Sequence, residues 1–161
     1  MIISFHDVHK FLLIGGRVEG IRFGAAPQLL IANSEHNVLE LRGQIYINLS
    51  SRWCLYAGKP IEFPKFEEEI PELNELEELL IIIELRNKII SNAFILEETS
   101  GLVLEFDDGS IFYMHGNNDQ FESWDVGVSL IDEHWKVISM PEGEIVGMIP
   151  NKYKKKFASN S

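Results

Sequence analysis

The stretch Leu102–Asp125, LVLEFDDGSIFYMHGNNDQFESWD, decides how the chain is read. Leu102, Leu104 and Phe106 alternate with Val103 and Glu105, Asp107-Asp108-Gly109 interrupts, and Ile111 to Met114 resumes an apolar run. Period-two alternation broken by Asp-Gly predicts a two-stranded hairpin closed by a tight primed turn, because glycine accepts positive φ. The stretch ends on Phe121-Glu122-Ser123-Trp124. Phe121 and Trp124 are expected in the core, with Glu122 holding a turn. Residues 105–125 carry six carboxylates and no lysine or arginine.

Working outward, the flanking chain reads as two strand series with a helix between them. Ser4 is placed to cap a short helix ended by Gly15-Gly16. Strands are expected at Arg17–Phe23, Gln28–Ala32, Val38–Arg42 and Ile45–Leu49, separated by Gly, Pro and Asn turns. Leu73, Leu76, Leu80 and Ile83 are spaced as one apolar face of a helix begun by Pro71, with Glu72, Glu75 and Glu78 on the opposite side. After Arg86-Asn87-Lys88 a second series follows at Ile89–Glu97, the hairpin, Val126–Ile131, Trp135–Met140 and Ile145–Ile149. The two halves echo each other: Gly16-Arg17-Val18 stands 71 positions before Asn87-Lys88-Ile89, and Arg52-Trp53 the same distance before Ser123-Trp124. The expected fold is α+β, two related antiparallel β meanders (an internal duplication) with one main amphipathic helix between them. One domain spans 1–161: a first β repeat at 1–58, the acidic helix and linker at 66–88, a second repeat at 89–149 and a basic, frayed tail at 150–161.

Charge is the most informative global quantity. The net charge is −11, yet residues 1–58 hold five basic and four acidic groups, while residues 60–150 hold 21 acidic groups against four basic. Such a field repels nucleic acid and anionic lipid and steers a basic protein toward it. A lone cysteine, Cys54, gives no disulfide framework and is expected buried and inert. The longest apolar run is too short to cross a bilayer, and the N-terminal residues carry no basic leader, so a cytoplasmic location is expected. His6 and His9 read as a surface or rim pair rather than metal ligands. Asp107, Asp108, Asn117, Asn118, Asp119 and Glu122 do not match a calcium-loop spacing. No nucleophile elbow or phosphate-cradling glycine loop is present. No cofactor, metal or enzymatic activity is expected.

Leu104, Phe106, Asp108, Gly109 and Ser110, then Phe121-Glu122-Ser123-Trp124, then Pro141-Glu142-Gly143-Glu144, with Asn87-Lys88-Ile89 upstream, form a motif set that resembles a family of small bacterial proteins. The resemblance covers about residues 85–147, with a fainter copy in the first half. These proteins are similar to the immunity factors encoded beside polymorphic or contact-dependent toxins. The resemblance implies a non-enzymatic protein that binds and neutralises a cognate toxin domain, and the charge implies a basic, nuclease-like toxin. The expected partner-binding face is Asp107, Asp108, Asp119, Glu122 and Asp125, or else Glu72, Glu75 and Glu78 on the helix. The alternative is a small-ligand or housekeeping binding module whose acidity serves only solubility.

Overall fold

A computed structural model describes residues 1–129 and 134–159 and shows a mixed α+β fold, mostly β. Helix α1 spans Phe5–Leu13 and helix α2 spans Glu75–Leu85. Among the described residues the strands are, in chain order, β1 Val18–Arg22, β2 Gln28–Ile31, β3 Gln44–Leu49, β4 Trp53–Tyr56, β5 Ile90–Ile95, β6 Leu102–Phe106, β7 Ile111–Met114, β8 Trp124–Ser129, β9 Trp135–Ser139 and β10 Ile145–Met148. They form two antiparallel sheets, one ordered β1-β2-β3-β8-β9-β10 and the other β4-β7-β6-β5. The four-stranded sheet thus takes three consecutive strands, β5 to β7, and β4 from the other half, and the six-stranded sheet takes β1 to β3 and then β8, β9 and β10 from the other half.

The two sheets enclose one main core. Leu29, Ile31, Ile45, Ile47, Val126 and Val137 come from the first sheet, and Trp53, Ala93, Leu102, Leu104, Phe112 and Met114 from the second. Val8, Leu12 and Leu13 of α1 and Ile82 and Leu85 of α2 close it. A second cluster, Ile70, Val103, Ile111 and Tyr113, lies on the other face of the four-stranded sheet under Phe63. Burial on this scale is the main stabilising contribution.

The halves meet where β1 and β5 begin. Val18 N–H donates to Lys88 C=O (3.0 Å), and Ile90 N–H donates to Gly16 C=O (2.8 Å). Asn87 N–H donates to Val18 C=O (2.8 Å), and Gly15 N–H donates to Ile90 C=O (2.7 Å). These are two matched pairs, related by exchanging each residue with its counterpart 72 positions away, about the Arg17–Ile89 bridge. Gly15 and Asn87, which follow the two helix C-caps, both have positive φ (84° and 74°). The register shifts between Val18 and Gly20 and again between Ile90 and Asn92, so the two strands carry bulges at matching places.

Several expectations change. The hairpin forms, but its loop has three residues: Phe106 N–H donates to Ser110 C=O (2.9 Å), and only Gly109 has positive φ (87°). A primed two-residue turn needs positive φ at both central residues; here Gly109 alone supplies the left-handed step that follows a type I turn. Val38–Arg42 is a run of turns rather than a strand. Its organiser is buried Asn37, whose Nδ2 donates to the C=O of Phe11 (3.0 Å) and Leu12 (3.3 Å), carbonyls at the end of α1. Helix α2 starts later than Pro71, capped by Asn74, whose Oδ1 accepts from Glu77 N–H (3.0 Å). It buries Ile82 and Leu85, while Leu76, Leu80 and Ile83 are 67%, 56% and 67% exposed. Phe121 is exposed, and Trp124 is fully buried. The expected strand at Val126–Ile131 runs past the described residues at its end, as does most of the Asp132-Glu133-His134 connection.

As far as Ser159, the last described residue, the tail is not frayed. Phe157 is buried, Ser4 N–H donates to its C=O (2.9 Å), and Ile3 bridges Ala158. The Tyr153 ring lies 4.8 Å from Trp135, and Lys156 pairs with Glu40 at 3.0 Å while sitting 4.1 Å over the Phe11 ring. Phe157→Ala should cost about 3 kcal/mol of stability, as for a buried Phe truncation; a urea midpoint equal to that of the unaltered chain would show the tail to be dispensable.

His9 is buried completely, against expectation, 5.9 Å from the Trp124 ring, and neither ring nitrogen has a hydrogen-bond partner among the described residues. Burial, with smaller contributions from His6 and Lys10, pushes its pKa down from 6.5 to about 3. The folded chain therefore holds His9 neutral, while the unfolded chain binds a proton below pH 6.5. This contribution to stability is intact above pH 6.5 and is lost as pH falls toward 3, by about 1.4 kcal/mol per pH unit. His9→Leu should flatten the decline between pH 6.5 and 4.5, measured as urea unfolding at each pH; parallel curves for the two proteins would contradict the assignment.

Candidate functional site

The carboxylates singled out by the sequence fall into three environments. Asp107 and Asp108 sit in the β6–β7 turn and are used within the fold. Asp107 Oδ1 accepts from Ile89 N–H (3.2 Å). Asp108 pairs with Lys88 at 2.7 Å and accepts from Ser110 Oγ (2.6 Å) and Ser110 N–H (3.0 Å). The Lys88 ammonium, then the Ser110 donors, hold its carboxyl well below the usual range. Asp125 lies within β8 and is buried; its Oδ1 accepts from Asn48 Nδ2 (2.7 Å), and Lys136 stands 3.6 Å from Oδ2. A buried, internally paired carboxylate is part of the fold's own network and not a rim group.

Asp119 and Glu122 are exposed on the loop between β7 and β8, at the other end of β7 from Asp107 and Asp108. The five residues named from the hairpin stretch therefore do not make one face. Asn118 organises this loop, its Oδ1 accepting from the N–H groups of Gln120 (2.8 Å) and Phe121 (2.9 Å). Its Nδ2 donates to Glu67 Oε2 (3.2 Å), which fastens the loop to the 3₁₀ turn Glu67–Glu69. Ser123, not Glu122, supports the loop from below: its Oγ accepts from Asn118 N–H (3.1 Å).

Glu72, Glu75 and Glu78 are brought together, and the structure adds Glu67 to them. A cleft of about 310 Å³ between the start of β4 and the start of α2 is lined by Arg52, Trp53, Glu67, Glu72, Leu73 and Glu78 among others. Arg52 is its centre. Its backbone N–H donates to Glu67 Oε1 (3.2 Å), its Nη1 to Ile70 C=O (3.2 Å), and its Nη2 pairs with Glu72 at 3.4 Å. Glu78, with Glu75, also borders a neighbouring cleft of about 250 Å³ with Ile21, Phe23 and Leu79. Partial burial, then the adjacent Glu75 charge, raises the Glu78 carboxyl above its ordinary pKa. One guanidinium thus shares its cleft with three carboxylates, Glu67, Glu72 and Glu78, and pairs with Glu72, while Glu75 joins Glu78 in the neighbouring cleft. Placing Glu75, Glu77 and Glu78 in the first turn of α2 is itself favourable, because the helix N-terminus carries partial positive charge.

Sequence reasoning missed Arg52, Glu67 and Asn118. Arg52 marks the repeat in the sequence, but its place in a cleft with Glu67, Glu72 and Glu78 depends on the chain doubling back from β4 to α2. A larger cleft, about 780 Å³, lies elsewhere, at the junction of the halves. Its charges are mixed, Arg17 and Arg86 with Glu19 and Glu35, and it holds none of the predicted site residues. Cys54 is half-buried, and burial pushes its thiol pKa up. His115 is buried with Nδ1 unpartnered among the described residues, and burial lowers its pKa. No described helix is long and apolar enough to cross a membrane. No family model, curated protein or solved structure matches the chain.

If Asp125 is structural, Asp125→Ala should destabilise the chain by about 1–3 kcal/mol, because Asn48 and Lys136 lose their partner. Thermal unfolding measures this, and an unchanged midpoint would return Asp125 to the list of groups free to bind.

Proposed function

We propose that this chain is an immunity-type protein that binds and neutralises a basic, nuclease-like toxin domain through the acidic face formed by Glu67, Glu72, Glu75 and Glu78, with Asp119 and Glu122 at its border. The observation that carries the reading is the gathering of Glu67, Glu72 and Glu78 in one cleft with the single base Arg52, with Glu75 in the cleft beside it, an excess of negative charge. A face of this kind accelerates capture of a cationic partner and fixes its orientation. It offers no comparable attraction to nucleic acid or anionic membrane. The same face repels further copies of this chain. The protein works by covering its target and is not an enzyme; its place is the cytoplasm.

We also infer that the fold arose by duplication of a helix followed by four strands. The matched hydrogen-bond pairs, the matched bulges and the positive φ at Gly15 and Asn87 support this. So does the pairing of β4 with β7 in one sheet and β8 with β3 in the other, Trp53 opposite Met114 and Trp124 opposite Leu49.

Glu72→Lys, Glu75→Lys and Glu78→Lys together should weaken capture of the toxin domain encoded beside this chain by roughly a hundredfold at low salt and flatten its salt dependence. Biolayer interferometry at two ionic strengths, paired with rescue of toxin-expressing cells, reads this out. Binding and rescue undiminished by the triple reversal would overturn the assignment of this face.

A further inference from the structure

The four-stranded sheet stops at β4, whereas its counterpart runs on past the equivalent strand. In the six-stranded sheet β8 is followed by β9 and β10. That hairpin and the tail behind it cover α1: Phe11 meets the rings of Trp135 at 5.6 Å and Phe157 at 5.4 Å, and Gly147 of β10 lies so near the Phe5 ring that a Cβ would stand 2.8 Å from it. Val8 and Leu12 on the same helix are fully buried.

Around β4 the same place is open. Its inner edge pairs with β7, and among the described residues no strand and no backbone hydrogen bond reaches its outer edge. His115 N–H donates to Arg52 C=O (3.0 Å), which sets the phase of the β4–β7 ladder. By the alternation of an antiparallel pair, the N–H and C=O of Trp53 and Leu55 then point away from β7. The nearby helix α2 is uncovered as well, with Leu76, Leu80 and Ile83 exposed at spacings of four and three. Counted back from the C-caps Arg86 and Ile14, Leu80 and Ile83 correspond to Val8 and Phe11 of α1. Phe11, which the β9–β10 hairpin and tail cover in one half, thus corresponds to Ile83, left bare in the other. An open strand edge beside an apolar surface is a ready template for another chain.

We propose that the outer edge of β4 and the bare face of α2 form one docking site, and that its occupant is a β-hairpin of a partner protein, apolar where it meets Leu76, Leu80 and Ile83 and basic along its flanks. Charge selects this occupant. The site is rimmed by Glu72, Glu75, Glu77, Glu78 and Glu84, and Arg52, the base in the adjoining cleft, is already paired with Glu72. A second copy of the chain, at net charge −11, would set two such rims against each other. Main-chain pairing to Trp53 and Leu55 supplies affinity, and the helix stripe with its acidic rim supplies selectivity. The inference rests on the toxin-binding reading in that it states how that partner is held.

The probe is a synthetic hairpin of residues 135–149 of this chain, closed by a disulfide between added terminal cysteines and carrying Glu142→Lys and Glu144→Lys. It mimics the hairpin that follows β8. Added to the full chain, it should bind saturably and slow amide exchange at Trp53 and Leu55. Leu55→Pro removes an outward N–H while leaving the bonds to β7, and Leu80→Glu with Ile83→Glu alters only exposed positions. Each variant should weaken hairpin binding at least roughly tenfold. Absence of binding, or binding unmoved by both variants, overturns the site. Concentration-dependent dimers that protect the same amides without the hairpin overturn the occupant. The neighbouring toxin separates the two claims. Toxin capture by the unaltered chain that survives both variants sinks the docking mode alone. Hairpin binding with no toxin capture sinks the immunity reading and leaves the site standing.

Discussion

Four backbone hydrogen bonds, exchanged between residues 15–18 and 87–90, hold the halves of this protein in register, and everything else is built from that junction. Each half begins with a helix that ends in a left-handed residue, Gly15 or Asn87, which turns the chain directly into its first strand. The two first strands meet there and diverge into separate sheets. Because the junction is made of main-chain groups, it constrains side chains little. That explains why Gly16-Arg17-Val18 and Lys88-Ile89-Ile90 can carry out the same exchange with little sequence in common. It also explains the offset: the sequence echo is best at 71 positions, while the bonding equivalence is 72 here.

The second constraint is the exchange of fourth strands. β4 completes the sheet of the second half and β8 that of the first, so the core contains Trp53 and Trp124 at matched positions. Symmetry then breaks. The chain after β8 builds a hairpin and a docked tail over α1, while the chain after β4 turns back across the outer face of its sheet, where Phe63 and Ile70 pack. The asymmetry leaves α2 and its carboxylates facing solvent. The acidic face and the open edge are two results of one departure from symmetry.

Much of this was legible in the sequence. The Asp-Gly hairpin, the Ser4 cap, the glycine stop after α1 and the apolar helix before the second strand series follow from local chemistry that tertiary contacts do not override. The α2 face was misread because its C-terminal half, Leu79 to Ile83 with Leu85, is apolar all round. Leu76, Leu80 and Ile83 form one stripe and Glu78, Ile82 and Leu85 another, so spacing alone cannot choose between them. Val38–Arg42 alternates like a strand but is bent by the carbonyls of α1 that Asn37 satisfies, a long-range demand with no local signature. The candidate site was half legible. Local charge counts find Glu72, Glu75 and Glu78, but they cannot tell a free carboxylate from Asp108 or Asp125, whose partners Lys88, Asn48 and Lys136 are supplied by the fold.

The crossed placement of β4 and β8 also bears on how the chain is made. As the N-terminal half leaves the ribosome, β4 has no sheet to join: its neighbour β7 lies more than fifty residues further on. The first half likewise waits for β8 before β3 ceases to be an edge. Neither half can close its sheet from its own strands, and closure is a long-range event for both. Until β7 is in place, Trp53 and the strand around it lack the neighbour against which they are paired in the folded protein.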